Sequence, residues 1–349
     1  MFGVKSKTLA LSSNWQANTD RHVISLAWGP GSDLLAAATA DGPIDIYQAA
    51  AGRRLHRLPG HSGGNLQVAL RHHAEPLLAS AGCDGMVQIW HPISGEKLHT
   101  LEVGTAWVER VAWSPSGNYL AAASGRTIRL WDFSTPNLPQ LLHTYPAQPS
   151  TITDLAWHPK QDTFASCAYN GLSLWSPASS QPKQEFPWKG SMLCLAWSPD
   201  GKYITTGNQD STIQFWNLIT GKELRMWGYR SKIRELAWSP DSRLLATGGS
   251  STAVVWDCSG KGPANTKPQL LNYHGLLLSQ LAFQRKGPLL ASACKEGLIT
   301  IWRPSRHDSP LATAHLGSAI TQLAWSPCDH FLAASSAEGS IALYPAAQL

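Results

Sequence analysis

A chain of 349 residues with 43% hydrophobic and only 15% charged side chains can bury a large core, and its net charge of +5, without any run of Lys or Arg, is too small for the length to mark a nucleic-acid partner. No apolar stretch approaches the roughly 18 residues of a membrane span, and Met1 to Trp15 has no continuous apolar core ahead of a small-residue cleavage site, so neither membrane association nor a signal peptide is expected. The six cysteines, Cys83, Cys167, Cys194, Cys258, Cys294 and Cys328, form no Cys-x-x-Cys pair, which points away from a disulfide framework or a cysteine zinc site and toward reduced thiols in the cytoplasm.

The first predicted element is a short alternating strand, Thr8, Leu9, Ala10, Leu11 and Ser12. From there one pattern recurs, in units of approximately 22–63, 64–106, 107–150, 151–190, 191–231, 232–275, 276–318 and 319–349. Each unit reads as four strands. Strand a ends in a Leu-Ala-Trp element, as at Leu195, Ala196 and Trp197 or Leu236, Ala237 and Trp238, and a turn such as Ser198-Pro199-Asp200-Gly201 breaks it. Strand b is a small apolar run, as at 120–123 or 244–247, and strand c is β-branched and ends in an aromatic, as in Thr127, Ile128, Arg129, Leu130, Trp131. These runs are too short for helices. Strand d is more variable, for example 97–101, 141–145 and 223–226.

Two aromatic columns keep the phase. Tyr47, Trp90, Trp131, Trp175, Trp216, Trp256, Trp302 and Tyr344 close strand c at intervals of 43, 41, 44, 41, 40, 46 and 42 residues, while Trp28, Leu70, Trp113, Trp157, Trp197, Trp238, Phe283 and Trp325 close strand a. A period of about 40 to 45 residues with four short strands per unit is the signature of a β-propeller, so the expected fold is all-β, a single domain over 1–349. Trp131-Asp132 and Trp256-Asp257 at the end of strand c, and Gly60-His61 ahead of a strand a, resemble the WD-repeat family over roughly residues 22 to 345. That resemblance implies a non-catalytic scaffold or adaptor for protein–protein interaction, with no cofactor.

The eight a-b-c sets predict eight blades. The last, from Gln322 to Tyr344, lacks a strand d, and the strand at Thr8 to Ser12, within a closing segment 1–15, is expected to supply it and lock the ring. Seven blades, the commoner number in the family, is the alternative and requires one set to lie outside the ring.

Twelve of the sixteen tryptophans belong to the columns and are assigned to the core; Trp188, standing where Gly60-His61 has its histidine, is also read as structural, which leaves Trp15, Trp107 and Trp227. His61, Ser80, Asp84 and Trp90 stand at the spacing of the family's buried tetrad, and His274, Ser292, Glu296 and Trp302 nearly repeat it. A His, Ser and Asp together also suggest a catalytic triad, but hydrolysis has no use for the recurring Trp. Gly60, His61, Ser62, Gly63 and Gly64 match Gly-x-Ser-x-Gly, the nucleophile elbow of a hydrolase; that motif belongs between a strand and a helix, whereas 66–70 reads as a strand. A propeller hydrolase is therefore one alternative. Another is a metal-associated accessory propeller, with His72, His73 and His91 meeting beneath the second blade.

In the family, residues four and two positions before the Leu-Ala-Trp element point into the upper face and contact partners, as in heterotrimeric G-protein β subunits. Here those positions hold Trp107, the only large aromatic among them, with Glu109, Lys232 and Arg234. Lys295 and Lys189 extend the cations into a basic arc. An exposed Trp with Arg nearby is the usual composition of an interface hot spot, so the expected partner is one or more proteins presenting an acidic or aromatic segment across the channel.

Overall fold

The computed structural model describes residues 8–135, 138–260, 263–264 and 266–349. Within one repeat the chain follows the spacing. In the third, Val108–Trp113, Tyr119–Ser124, Thr127–Asp132 and Gln140–Thr144 make an antiparallel four-stranded sheet in chain order. The turn after strand a is held by its own side chains: in the fifth repeat Ser198 Oγ donates to Asp200 Oδ1 (2.6 Å) and accepts the Tyr203 amide (3.0 Å). Gly201, at φ +78°, lies so close to the His158 ring that no Cβ fits. Strand b is covered on both faces by neighbouring sheets, so alternation gives way to small residues: Ala121, Ala122 and Ala123 are 0%, 0% and 1% exposed.

The innermost strands of the eight repeats contact one another in a closed cycle. Column tryptophans bind each repeat to the one before: the indole N–H of Trp113 donates to the Ala69 carbonyl (3.2 Å), Trp157 to Ala112 (2.9 Å), Trp197 to Ala156 (3.1 Å) and Trp325 to Ala282 (3.0 Å). Trp28 completes the circle on Ala324 at 3.1 Å. Nine of the twelve column tryptophans are buried, and Trp157, Trp197 and Trp256 are partly covered.

The expected eight blades are corrected to seven, the alternative number: the strands form seven hydrogen-bonded sheets, with no set left outside the ring. Ser179–Trp197 is one continuous strand that pairs first with Phe164–Ser176 and then with Tyr203–Asn208, so the fourth and fifth sets share a six-stranded sheet. Side-chain phase follows the repeats, whereas sheets follow backbone pairing, and here no loop interrupts the pairing between one set and the next.

The closing strand is corrected as well. Leu9–Ala10 pairs parallel with Ala312 and Thr313 as a fifth, outermost strand of the seventh repeat's sheet. Trp15–Asn18 is the strand that pairs antiparallel with Ser340–Pro345 and completes the last sheet. The connection explains the choice: residues 19–22 link this strand to Val23–Trp28 with a loop as short as 103–107, and Trp15 anchors it by stacking on Tyr47 (5.5 Å between centroids) and donating to the Ala49 carbonyl (2.6 Å). Residues 1–7 of the expected closing segment lie outside the described residues.

Candidate functional site at the upper channel mouth

Every strand a begins at the upper face, and its first residues line the central channel. Ile24, Leu66, Trp107, Glu109, Leu193 and Arg234, with Arg110 and Asp154, border a cavity of about 680 Å³ at its mouth. In several repeats the residue just before the Leu-Ala-Trp element stitches one innermost strand to the next. Ser25 Oγ accepts the Val68 amide (3.2 Å), Gln67 Oε1 accepts the Val111 amide (2.9 Å), and Asp154 Oδ2 accepts the Leu195 amide (2.9 Å). Arg110 Nε donates to Asp154 Oδ1 at 3.0 Å, so its charge is already matched. Burial raises the Glu235 carboxyl above its usual range, and that carboxylate accepts the Gly249 amide at 3.2 Å.

Against this rigid lining, a few groups face solvent uncommitted. Trp107 is 59% exposed on the loop ahead of Val108–Trp113. Lys189, Lys232, Arg234 and Lys295 are exposed, and among the described residues none of the four enters an ion pair. The structure brings Trp107, Glu109 and Arg234 to one mouth; Lys189, Lys232 and Lys295 lie outside its lining. Trp227, which the sequence leaves unassigned, and Tyr273 and Leu276, which it does not single out, are exposed on loops that precede an innermost strand, at 74%, 47% and 52%; Leu277, at one of the upper-face positions four before its Leu-Ala-Phe element, is 44% exposed. The available signal was that Trp227 falls outside both aromatic columns.

The polar sets lie inside the sheets. His61 Nδ1 is 2.9 Å from Asp84 Oδ1, its Nε2 is 2.8 Å from Ser80 Oγ, and Trp90 Nε1 donates to the same Oγ at 2.9 Å. Ser80 is fully buried, with both neighbours already bound to it. The seventh repeat differs from expectation: Trp302 and His274 both meet Ser292 Oγ, at 2.8 and 2.7 Å, but Glu296 accepts the Gly275 amide (2.8 Å) in place of the ring. Burial pushes His274 down to about 4, leaving the ring neutral. In the sixth repeat Tyr229 takes the place of the missing histidine, bridging Trp256 Nε1 (2.8 Å) and Thr247 Oγ1 (2.9 Å). Its spacing before Thr247, 18 residues, equals that of His274 before Ser292 and was a legible sign. Trp188 packs on the core of the fourth and fifth repeats beneath Arg225, whose guanidinium carbon is 5.1 Å from the ring centroid.

Ser62 is exposed, and both ring nitrogens of the adjacent His61 are occupied, so nothing is placed to take its proton. The glycines of this segment answer to crowding: a Cβ on Gly60 would lie 2.5 Å from the Gly42 carbonyl oxygen, and one on Gly64 would collide with that of Ala40. His61→Ala should cost about 1–3 kcal/mol in chemical denaturation, because Ser80 and Asp84 lose a buried partner. Ser62→Ala should leave the midpoint unchanged, and a fluorophosphonate probe that labels Ser62 would contradict this assignment.

His72, His73 and His91 are not gathered into a ligand set: His91 Nδ1 accepts the Ser94 amide (3.1 Å), and His73 lies against Gly117 of the next repeat. Among the described residues, the one group of three His, Cys or acidic side chains with mutually close ligand atoms is His274, Cys294 and Glu296.

A computationally designed protein, Ika8, is similar in fold, with a TM-score of 0.79 over 97% of this chain and 99% of its own at 21% identity. Protein FIZZY-RELATED 3 of Arabidopsis thaliana is 31% identical over 129 residues, covering 35% of this chain and 26% of its own length. The anaphase-promoting complex subunit cdh1 of Dictyostelium discoideum is 31% identical over 120 residues, 32% of this chain and 15% of its own. Telomerase protein component 1 of Rattus norvegicus is 23% identical over 252 residues, 68% of this chain but 9% of its own. This chain therefore spans about a quarter or less of the length of these relatives. The WD domain, G-beta repeat family matches residues 52–91, 95–132, 139–176, 180–217, 221–257 and 308–344, well over half of the chain, and the protein belongs to the WD40 repeat family.

Proposed function

We propose that this protein is a non-catalytic adaptor that docks another protein on its upper face, across the channel mouth. The observation that carries the reading is Trp107: a large aromatic, 59% exposed, on the rim of a polar cavity it shares with the unpaired Arg234. A Trp held on a rigid ring loses little freedom on binding, and a cation free of any internal partner is available to an acidic segment. Glu109 on the same rim selects against a uniformly acidic partner and favours an aromatic or mixed one. Membership of the WD40 family supports the reading, as does similarity to a relative named as a subunit of a larger complex. Six cysteines without a disulfide among them support a reading of reduced thiols in the cytoplasm, and the proposed partner is a protein rather than nucleic acid or membrane.

Affinity capture of the full chain followed by mass spectrometry tests the choice of face. Trp107→Ala should lose the partners recovered with the wild type, whereas His73→Ala, on the turn after Asn65–Leu70 at the lower face, should retain them. The reverse pattern would move the docking surface to the lower turns.

A further inference from the structure

The seventh repeat carries a side chain where the second has none, and a buried nitrogen is left without a partner. In the second repeat Gly82, two residues beyond Ser80, is so close to the His61 ring that any Cβ would collide with it. The seventh repeat carries Cys294 at that place, two residues beyond Ser292. A side chain there excludes the ring position from which His61 reaches Asp84. His274 accordingly keeps its Nε2 contact, 2.7 Å from Ser292 Oγ, while its Nδ1 is buried with no hydrogen-bond partner, in a residue only 7% exposed. Native proteins rarely leave such an atom unmatched without a reason.

Two further donors surround the ring. Ligand atoms of His274, Cys294 and Glu296 all lie within 4.8 Å of one another, and Cys294 Sγ is 3.3 Å from Glu296 Oε1. We propose that His274 Nδ1, Cys294 Sγ and the Glu296 carboxylate form a site for a zinc-class divalent cation, with water as the remaining ligand. Nitrogen, thiolate and carboxylate are the mixed set zinc accepts, at about 2.0–2.3 Å each, so small torsional shifts of Cys294 and Glu296 suffice to bring the three together. The thiolate disfavours magnesium and calcium. With its proton on Nε2, donated to Ser292 Oγ, the imidazole turns a lone pair on Nδ1 toward the site, and that second hydrogen bond fixes the ring as it does for most ligating histidines. Binding releases the Cys294 thiol proton to solvent. Glu296 is only partly covered and supplies the entry side. The second repeat has no such capacity: its thiol position is Gly82, and Asp84 already holds His61 Nδ1 at 2.9 Å.

The full chain, stripped with a chelator, is titrated with Co²⁺ and then with Zn²⁺. A single equivalent of Co²⁺ should produce a thiolate-to-cobalt charge-transfer band with tetrahedral d–d absorption, and Zn²⁺ should displace it. Cys294→Ser should remove the charge-transfer band, Glu296→Gln should weaken Co²⁺ binding about 10-fold or more, and Cys83→Ser should change neither. Because Cys294 is buried, metal-free melting curves check that its variant is folded, and Glu296→Gln, nearer the surface, carries the test if it is not. Absence of the band in the wild type, its survival in Cys294→Ser, or undiminished binding by Glu296→Gln would overturn the site.

Discussion

Truncation of the chain to begin at Thr19 should destroy cooperative unfolding, whereas removal of residues 8–12 alone should shift the melting temperature far less. The strand Trp15–Asn18 is the outer partner of Ser340–Pro345. Its loss bares the backbone edge of a strand whose Ile341 and Leu343 are otherwise fully buried. It also removes the indole that spans from the last sheet to Tyr47 and Ala49 of the first repeat, and with it the stacking and the 2.6 Å bond that tie the ends of the ring together. An unpaired edge invites pairing with another chain, so the truncated protein should aggregate, and its circular dichroism and tryptophan fluorescence transitions should cease to coincide. Trp15→Ala is the milder version, expected to cost about 2–3 kcal/mol given that the ring is only partly covered. The short strand Leu9–Ala10 sits outside an already complete four-stranded sheet, and its removal re-exposes little. Coincident, wild-type transitions in the protein that begins at Thr19 would contradict the closure.

These differences show which parts of the fold a sequence can disclose. The aromatic columns announced the repeat because each ring must wedge between neighbouring sheets, a demand that recurs with every unit and therefore prints a period. Where one strand ends and the next sheet begins leaves a weaker mark: nothing in 179–197 advertises that a single strand would run through two sets. The closing strand is hard to place from sequence for a similar reason, since the alternation of Thr8 to Ser12 is equally at home on any free edge, while the anchoring role of Trp15 depends on Tyr47 and Ala49 being close in space. The tetrad of His61 was legible from spacing alone; the failure of Glu296 to reach His274 was not, because it turns on whether a Cβ stands at the position of Gly82 or Cys294. Asp45 is the clearest omission. Only 1% exposed, it is held by two 2.8 Å bonds from Arg57 and one of 3.3 Å from Tyr47, an ion pair built across strands by a register no spacing rule reports.

Trp107→Ala combined with Arg234→Glu should abolish partner binding while leaving the ring intact. Both side chains are exposed, neither belongs to an internal ion pair, and they border one cavity without touching the stitching of Ser25, Gln67 and Asp154. Loss of a hot-spot Trp costs about 2 kcal/mol or more, roughly a 30-fold rise in Kd, and the charge reversal adds a slower association with altered salt dependence. The decisive measurement is the Kd of a partner captured by the wild-type chain, determined for wild type and double variant side by side with their melting temperatures. The account predicts a Kd raised by roughly 30-fold or more at an unchanged melting temperature. An unchanged Kd in a folded double variant would show that the partner docks elsewhere and would contradict the assignment of the upper channel mouth.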